Sequence, residues 1–126
     1  MLVLPWSNAV KGWGVFFGAA VLIIKLSAFN GVWIGTVKTV RGQSLKMLID
    51  TGSNITMVAR PLGMARLCVP VDRTEVCSAD VWNIAEFPHQ KIVTANGFDG
   101  VLGMDFWKKF RSVTIDWKHK ELIAAR

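Results

Sequence analysis

A break in an apolar run narrows the fold of this chain more than any other feature. The run "LKMLI" (Leu45 to Ile49) is halted by Asp50, Thr51 and Gly52, and "NITMV" resumes the apolar pattern at Asn54 to Val58. Two extended apolar segments around a cluster of turn formers read as strand, tight turn, strand. Asp hydrogen-bonds its own backbone two residues on, and Gly reverses the chain at no steric cost, so the triplet alone is a turn. Whether it is also a site depends on the rest of the chain.

That rest reads as mainly β, with one or two short helices. "VWIGTVKTV" from Val32 is rich in β-branched residues, and "RGQ" at Arg41 to Gln43 turns the chain into the run that ends at Asp50. "ARPLGMARL" fits a loop or one helical turn, because Pro61 and Gly63 forbid more. "CVPV" and "TEVCSADVWNI" are extended around Asp72 and Arg73, "QKIVTA" is a further strand, and "NGFDG" is a turn. A short helix is expected after Gly103, and "SVTIDW" with "KELIAA" closes the chain as a hairpin across "KHK". There are no repeats and no low-complexity linkers.

Two features bound the setting. "GWGVFFGAAVLII", between Lys11 and Lys25, carries no charge and contributes to the mean hydropathy of +0.36. It is shorter than the ~18 residues that would make a spanning helix the default. A snorkelling Lys25 would extend it through Phe29, so residues 10–29 fit a membrane anchor, with an export signal or a core helix as the other readings. Residues 1–29 are thus expected to be an N-terminal apolar helix and residues 30–126 a single domain. The net charge of +6 is scattered, and its tightest group, "WKKFRSVTIDWKHK", alternates with apolar residues as a solvated strand face does. No nucleic-acid partner is expected. Cys68 and Cys77 are too few for a disulfide framework and lack metal-ligand spacing, and His89 and His119 lie far apart, so neither a metal nor a cofactor is expected.

Three motifs then occur in order: "LIDTGSN", "FDGVLGMDFW" and "VTIDWKHKEL". Together they resemble the retropepsin-like aspartic proteases, including those of bacteria and retrotransposons, over most of residues 32–126. The resemblance implies a single-lobe, closed β-barrel-like acid protease fold and peptide hydrolysis by a water molecule. It makes Asp50 catalytic. Thr51 would bond across to a partner loop, Gly52 would let the backbone approach the water, and Ser53 would support the carboxylate. Val101, Leu102 and Gly103 would pack beneath the active loop. Asp105 follows that glycine and Asp116 alternates on a strand, so both are poorer candidates.

The chemistry needs two carboxyls sharing one proton, whereas the chain has one D-T-G and too few residues for a two-lobed enzyme. A homodimer placing two copies of Asp50 side by side follows. The family covers its polypeptide substrate with a flap; here the hairpin tip Val71, Asp72, Arg73 and Thr74 is the candidate. If Asp72 and Arg73 form its turn, Cys68 and Cys77 fall opposite one another, as a cross-strand disulfide or as two buried thiols. A disulfide would suit an oxidising periplasmic or extracytoplasmic compartment. The alternative function is a catalytically weak or silent retropepsin-like module that dimerises or binds peptides at a membrane.

Overall fold

Asn30 and Gly31 both adopt positive φ, 47° and 81°, the geometry of a two-residue hairpin turn that follows the twist of its strands. They join β1 (Val21–Phe29) to β2 (Val32–Lys38), with Phe29 opposite Val32. In the computed structural model, which describes residues 20–59, 65–84 and 91–126, β1 lies inside the main sheet between β2 and β10 (Glu121–Ala125). The apolar helix expected to reach Phe29 is therefore corrected from Val21 onward, and the domain starts no later than Ala20, whose carbonyl accepts the Arg126 N–H at 3.0 Å. The physical reason is a period of two. Ile24 and Leu26 point into the core, while Ile23, Lys25 and Ser27 face out. Lys25 does not snorkel; its ammonium lies 2.8 Å from the Glu121 carboxylate on β10. The remainder of the expected anchor, residues 1–19, lies outside the described residues. Among those described, no helix is long and apolar enough to cross a membrane.

The other strands are β3 (Ser44–Ile49), β4 (Met57–Val58), β5 (Arg66–Val71), β6 (Thr74–Asp80), β7 (Trp82–Asn83), β8 (Gly100–Leu102) and β9 (Ser112–Asp116). Eight of the ten form one sheet in the order β7-β4-β8-β3-β2-β1-β10-β9, and β5 and β6 form a separate hairpin. The expected closed barrel is thus an open sheet, since β7 and β9 sit at opposite edges and do not pair. The hairpin covers one face of it.

Strand alternation sorts the apolar residues into two cores. Met47, Ile49, Val58 and Leu102 face a large cluster that also takes Leu67, Val69, Val71 and Val76 of the hairpin. α2 (Met104–Trp107) adds Phe106 and Trp107, both fully buried, with ring centroids 4.9 Å apart in a T-shaped contact. Burying one large side chain contributes roughly 1.5–3 kcal/mol, so this cluster dominates stability. Ile34, Leu48, Met57 and Val101 face the other way and pack with Ile84 and Val93.

Val93 belongs to α1 (Lys91–Ala95), where the sequence suggested a strand. The β-branched run is overridden by its C-terminal signal. Gly97 adopts φ 70°, the Gly97 N–H bonds to the Thr94 carbonyl at 3.3 Å, and the Phe98 N–H bonds to the Val93 carbonyl at 3.0 Å. These two bonds make a Schellman cap, with Phe98 returning to the same small core as Val93. The expected hairpin of β9 and β10 is present, from Ser112 opposite Ala125 to Asp116 opposite Glu121.

Candidate active site

β3 ends at Ile49, and its next residue, Asp50, still donates its N–H to the Leu102 carbonyl of β8 at 3.3 Å. β8 runs parallel to β3, with Leu48 opposite Val101, and antiparallel to β4, with Met57 opposite Val101. It therefore lies between two strands that are consecutive in the chain, and the turn joining them must arch over its end. Asp50, Thr51, Gly52 and Ser53 are in that arch. Val101 and Leu102 are completely buried beneath it.

Within the turn the Gly52 N–H donates to Asp50 Oδ1 at 2.8 Å, which fixes the carboxyl to its own loop. The Ser53 N–H bonds to the Asp50 carbonyl at 3.3 Å. The Ser53 hydroxyl donates to the Ile55 carbonyl at 2.8 Å, so the support expected of Ser53 for the carboxyl is supplied in this chain by the Gly52 amide. Asp50 is half-buried beside a pocket of about 290 Å³ lined by Val32, Leu48, Ile49, Asp50, Thr51 and Gly52. Its walls are apolar on the strand side and polar on the turn side.

The floor of the turn is made by the start of α2. The Met104 N–H bonds to the Ser53 carbonyl at 2.8 Å and the Asp105 N–H to the Asn54 carbonyl at 3.2 Å. Gly103 lies so close under the loop that an added Cβ would sit 2.9 Å from the Ser53 carbonyl oxygen and 2.7 Å from the Ile55 carbonyl carbon. Sequence reasoning missed two participants. Thr56 accepts the Gly103 N–H at 3.2 Å and donates its own proton to Asp105 Oδ1 at 2.7 Å. Both are buried, and the signal was available in the spacing, since a hydroxyl six residues after Asp50 and a carboxyl two after Gly103 meet once β8 seats the turn.

The hairpin tip is elsewhere. Asp72 has φ 56° and forms the expected turn, but Val71 is buried in the main core and the Thr74 hydroxyl accepts from the C-terminal Arg126 guanidinium at 3.1 Å. None of Val71, Asp72, Arg73 and Thr74 lines the pocket beside Asp50. Cys68 and Cys77 do face one another, 4.0 Å apart at Cα, and form a disulfide. With Glu75 they are the group of potential metal ligands found close together among the described residues, and the disulfide occupies both sulfurs. Asp116 is on the far hairpin, where its carboxyl accepts from the Lys118 and His119 N–H groups at 3.1 Å and lies 2.8 Å from His119 Nδ1. The His119 side chain foremost, with these amides, holds its pKa below the usual carboxylate value.

No protein-family model and no curated relative matches the chain. Among solved structures it is similar to the crystal structure of a retropepsin-like aspartic protease from Rickettsia conorii, with 15% identity and a TM-score of 0.48 over 85% of this chain and 92% of that one.

Proposed function

We propose that the chain is an aspartic endopeptidase, active as a homodimer in which two copies of Asp50 meet across a twofold axis. The observation that carries this reading is the seat of Asp50: a carboxyl at the end of a strand, bonded by the Gly52 amide, half-exposed at an apolar pocket and held up by buried Val101 and Leu102. One such carboxyl is either a base or an acid at a given moment, not both. Two placed about 3 Å apart resist double ionisation and share a proton, which gives the pair a base and an acid at once. The ionised member takes a proton from water as its oxygen attacks the peptide carbonyl. The protonated member hydrogen-bonds the carbonyl oxygen, and the pair returns the proton taken from water to the departing nitrogen as the C–N bond breaks, leaving one shared proton as at the start.

On this reading Thr51, next to Asp50 on the pocket wall, would bond to the loop of the second copy. The disulfide favours an oxidising, extracytoplasmic compartment for the domain. Membrane attachment, on this reading, falls to the residues before Ala20.

Cleavage of an unstructured polypeptide by the full chain, inhibited by pepstatin and abolished in Asp50→Asn with the dimer still folded, is the expected result. Retained cleavage in Asp50→Asn would refute the assignment. Pepstatin binding without cleavage by the native chain would identify a silent peptide-binding module instead.

A further inference from the structure

The described residues hold one carboxyl that is buried, fully hydrogen-bonded and unused by the proposed chemistry. Asp105 is 6% exposed, and no ion pair joins it to a Lys or Arg among the described residues. Its Oδ1 accepts the Thr56 hydroxyl at 2.7 Å and its Oδ2 accepts the Ala79 N–H at 3.1 Å. Thr56 follows the Asp50 turn, and Ala79 is near the end of β6, so one carboxyl ties the active loop to the root of the disulfide-bonded hairpin. Two further bonds run along the same seam. Thr56 Oγ1 accepts the Gly103 N–H, and the Thr56 carbonyl accepts the Trp82 N–H at 3.0 Å.

Burying a carboxyl costs free energy that an apolar residue of similar size would not. Stability alone is therefore a poor reason to have Asp at this place, next to Phe106 and Trp107. What a carboxyl offers and a hydrocarbon does not is two acceptors in one plane, aimed at two separate chain segments. We propose that Asp105 is a positioning residue, through which the hairpin β5–β6 holds the loop that carries Asp50. This rests on the protease reading only for its consequence in turnover; the mechanical link stands on the hydrogen bonds themselves.

Asparagine separates the two donors, because an amide has one acceptor oxygen. If that oxygen stays on the Ala79 N–H, the amide NH₂ faces Thr56 Oγ1, and the threonine proton loses its acceptor. Hydrogen exchange followed by NMR on the full chain tests this directly. In Asp105→Asn, exchange at Gly103, Met104 and Ser53 should accelerate at least tenfold, while Ile123 and Leu122 in the distant β10 stay within twofold. Thr56→Val should reproduce the pattern, and Thr56→Ser, which keeps the hydroxyl, should restore slow exchange. Where cleavage is measurable, Asp105→Asn should lower kcat about tenfold with KM within twofold, at temperatures well below its melting point. Acceleration confined to Ala79, with Gly103 and Ser53 unchanged, would overturn the proposal, as would failure of Thr56→Ser to behave like the native chain. Because exchange is read without substrate, a chain that cleaves nothing still passes or fails this test.

Discussion

Replacing Gly103 by alanine should test the seat of the active loop at the scale of one methyl group. The added Cβ would lie 2.9 Å from the Ser53 carbonyl oxygen and 2.7 Å from the Ile55 carbonyl carbon, against an ordinary carbon-to-oxygen contact of about 3.3 Å or more. Neither neighbour is free to yield. The Ser53 carbonyl accepts the Met104 N–H, and the Ile55 carbonyl accepts the Ser53 hydroxyl, both at 2.8 Å. Overpacking of a rigid site costs about 1–3 kcal/mol, and breaking one or two such bonds adds about 1 kcal/mol each, so a loss of about 2–5 kcal/mol is expected. At roughly 4 °C per kcal/mol for a domain of this size, Tm should fall by about 8–20 °C. Urea unfolding should show a lower midpoint at unchanged slope. Gly42→Ala is the control: its φ of 84° costs an alanine about 1–2 kcal/mol, but nothing lies within 4 Å of the new methyl. If Gly103→Ala is no less stable than Gly42→Ala, the close approach of α2 to the loop is wrong. If it is folded but its loop has moved by about 1 Å, cleavage should fall on the order of a hundredfold.

Dilution of the full chain should lower specific activity, with sedimentation showing monomer replacing dimer; activity independent of concentration would sink the shared-dyad mechanism. The Cys68–Cys77 bond closes a loop of sequence separation 9, so replacing both cysteines by serine should cost about 2.5–3 kcal/mol in chemical unfolding. Carboxyl-carbon NMR should place Asp116 below the ordinary value of 3.8, and His119→Ala should raise it partway, because the backbone donors remain. Since the folded pKa is the lower one, the stability carried by that turn is complete above 3.8 and is lost as pH falls below it, through the folded value.

What the sequence made legible is what local chemistry decides. Asp50 to Ser53 form a turn between strands, Arg41 to Gln43 turn β2 into β3, and α2 starts after Gly103, because glycine and aspartate act within a few residues. β1 was hidden by its composition. "VLIIKLSAF" is apolar enough to resemble the end of a helix, and only the alternation of Ile24, Lys25, Leu26 and Ser27, with Asn-Gly after it, marks a hairpin strand. α1 was hidden by Ile92, Val93 and Thr94, whose branching favours strands until Gly97 caps the turn. The tip at Asp72 was found but not its place, since its position depends on which core Val69, Val71 and Val76 fill. Asp105 and Thr56 escaped for the same reason: their meeting depends on β8 entering between β3 and β4, which pattern alone does not disclose.

That insertion also sets an order of events. Asp99 Oδ2 accepts the Lys46 N–H across a separation of 53 residues, and β8 reaches Met47 and Ile49 over a similar gap. β1 waits longer still, for a partner strand at the very end of the chain. Contacts this remote in sequence form late, because the entropy of closing a long loop must be met before the pairing can compensate it. A growing chain thus carries "DTGS" long before it has a strand to rest on, and until β8 and β10 arrive the carboxyl of Asp50 belongs to a flexible turn. The seat of the Asp50 turn is therefore among the last features this topology completes, and a half-folded copy holds that carboxyl on a turn with no strand beneath it.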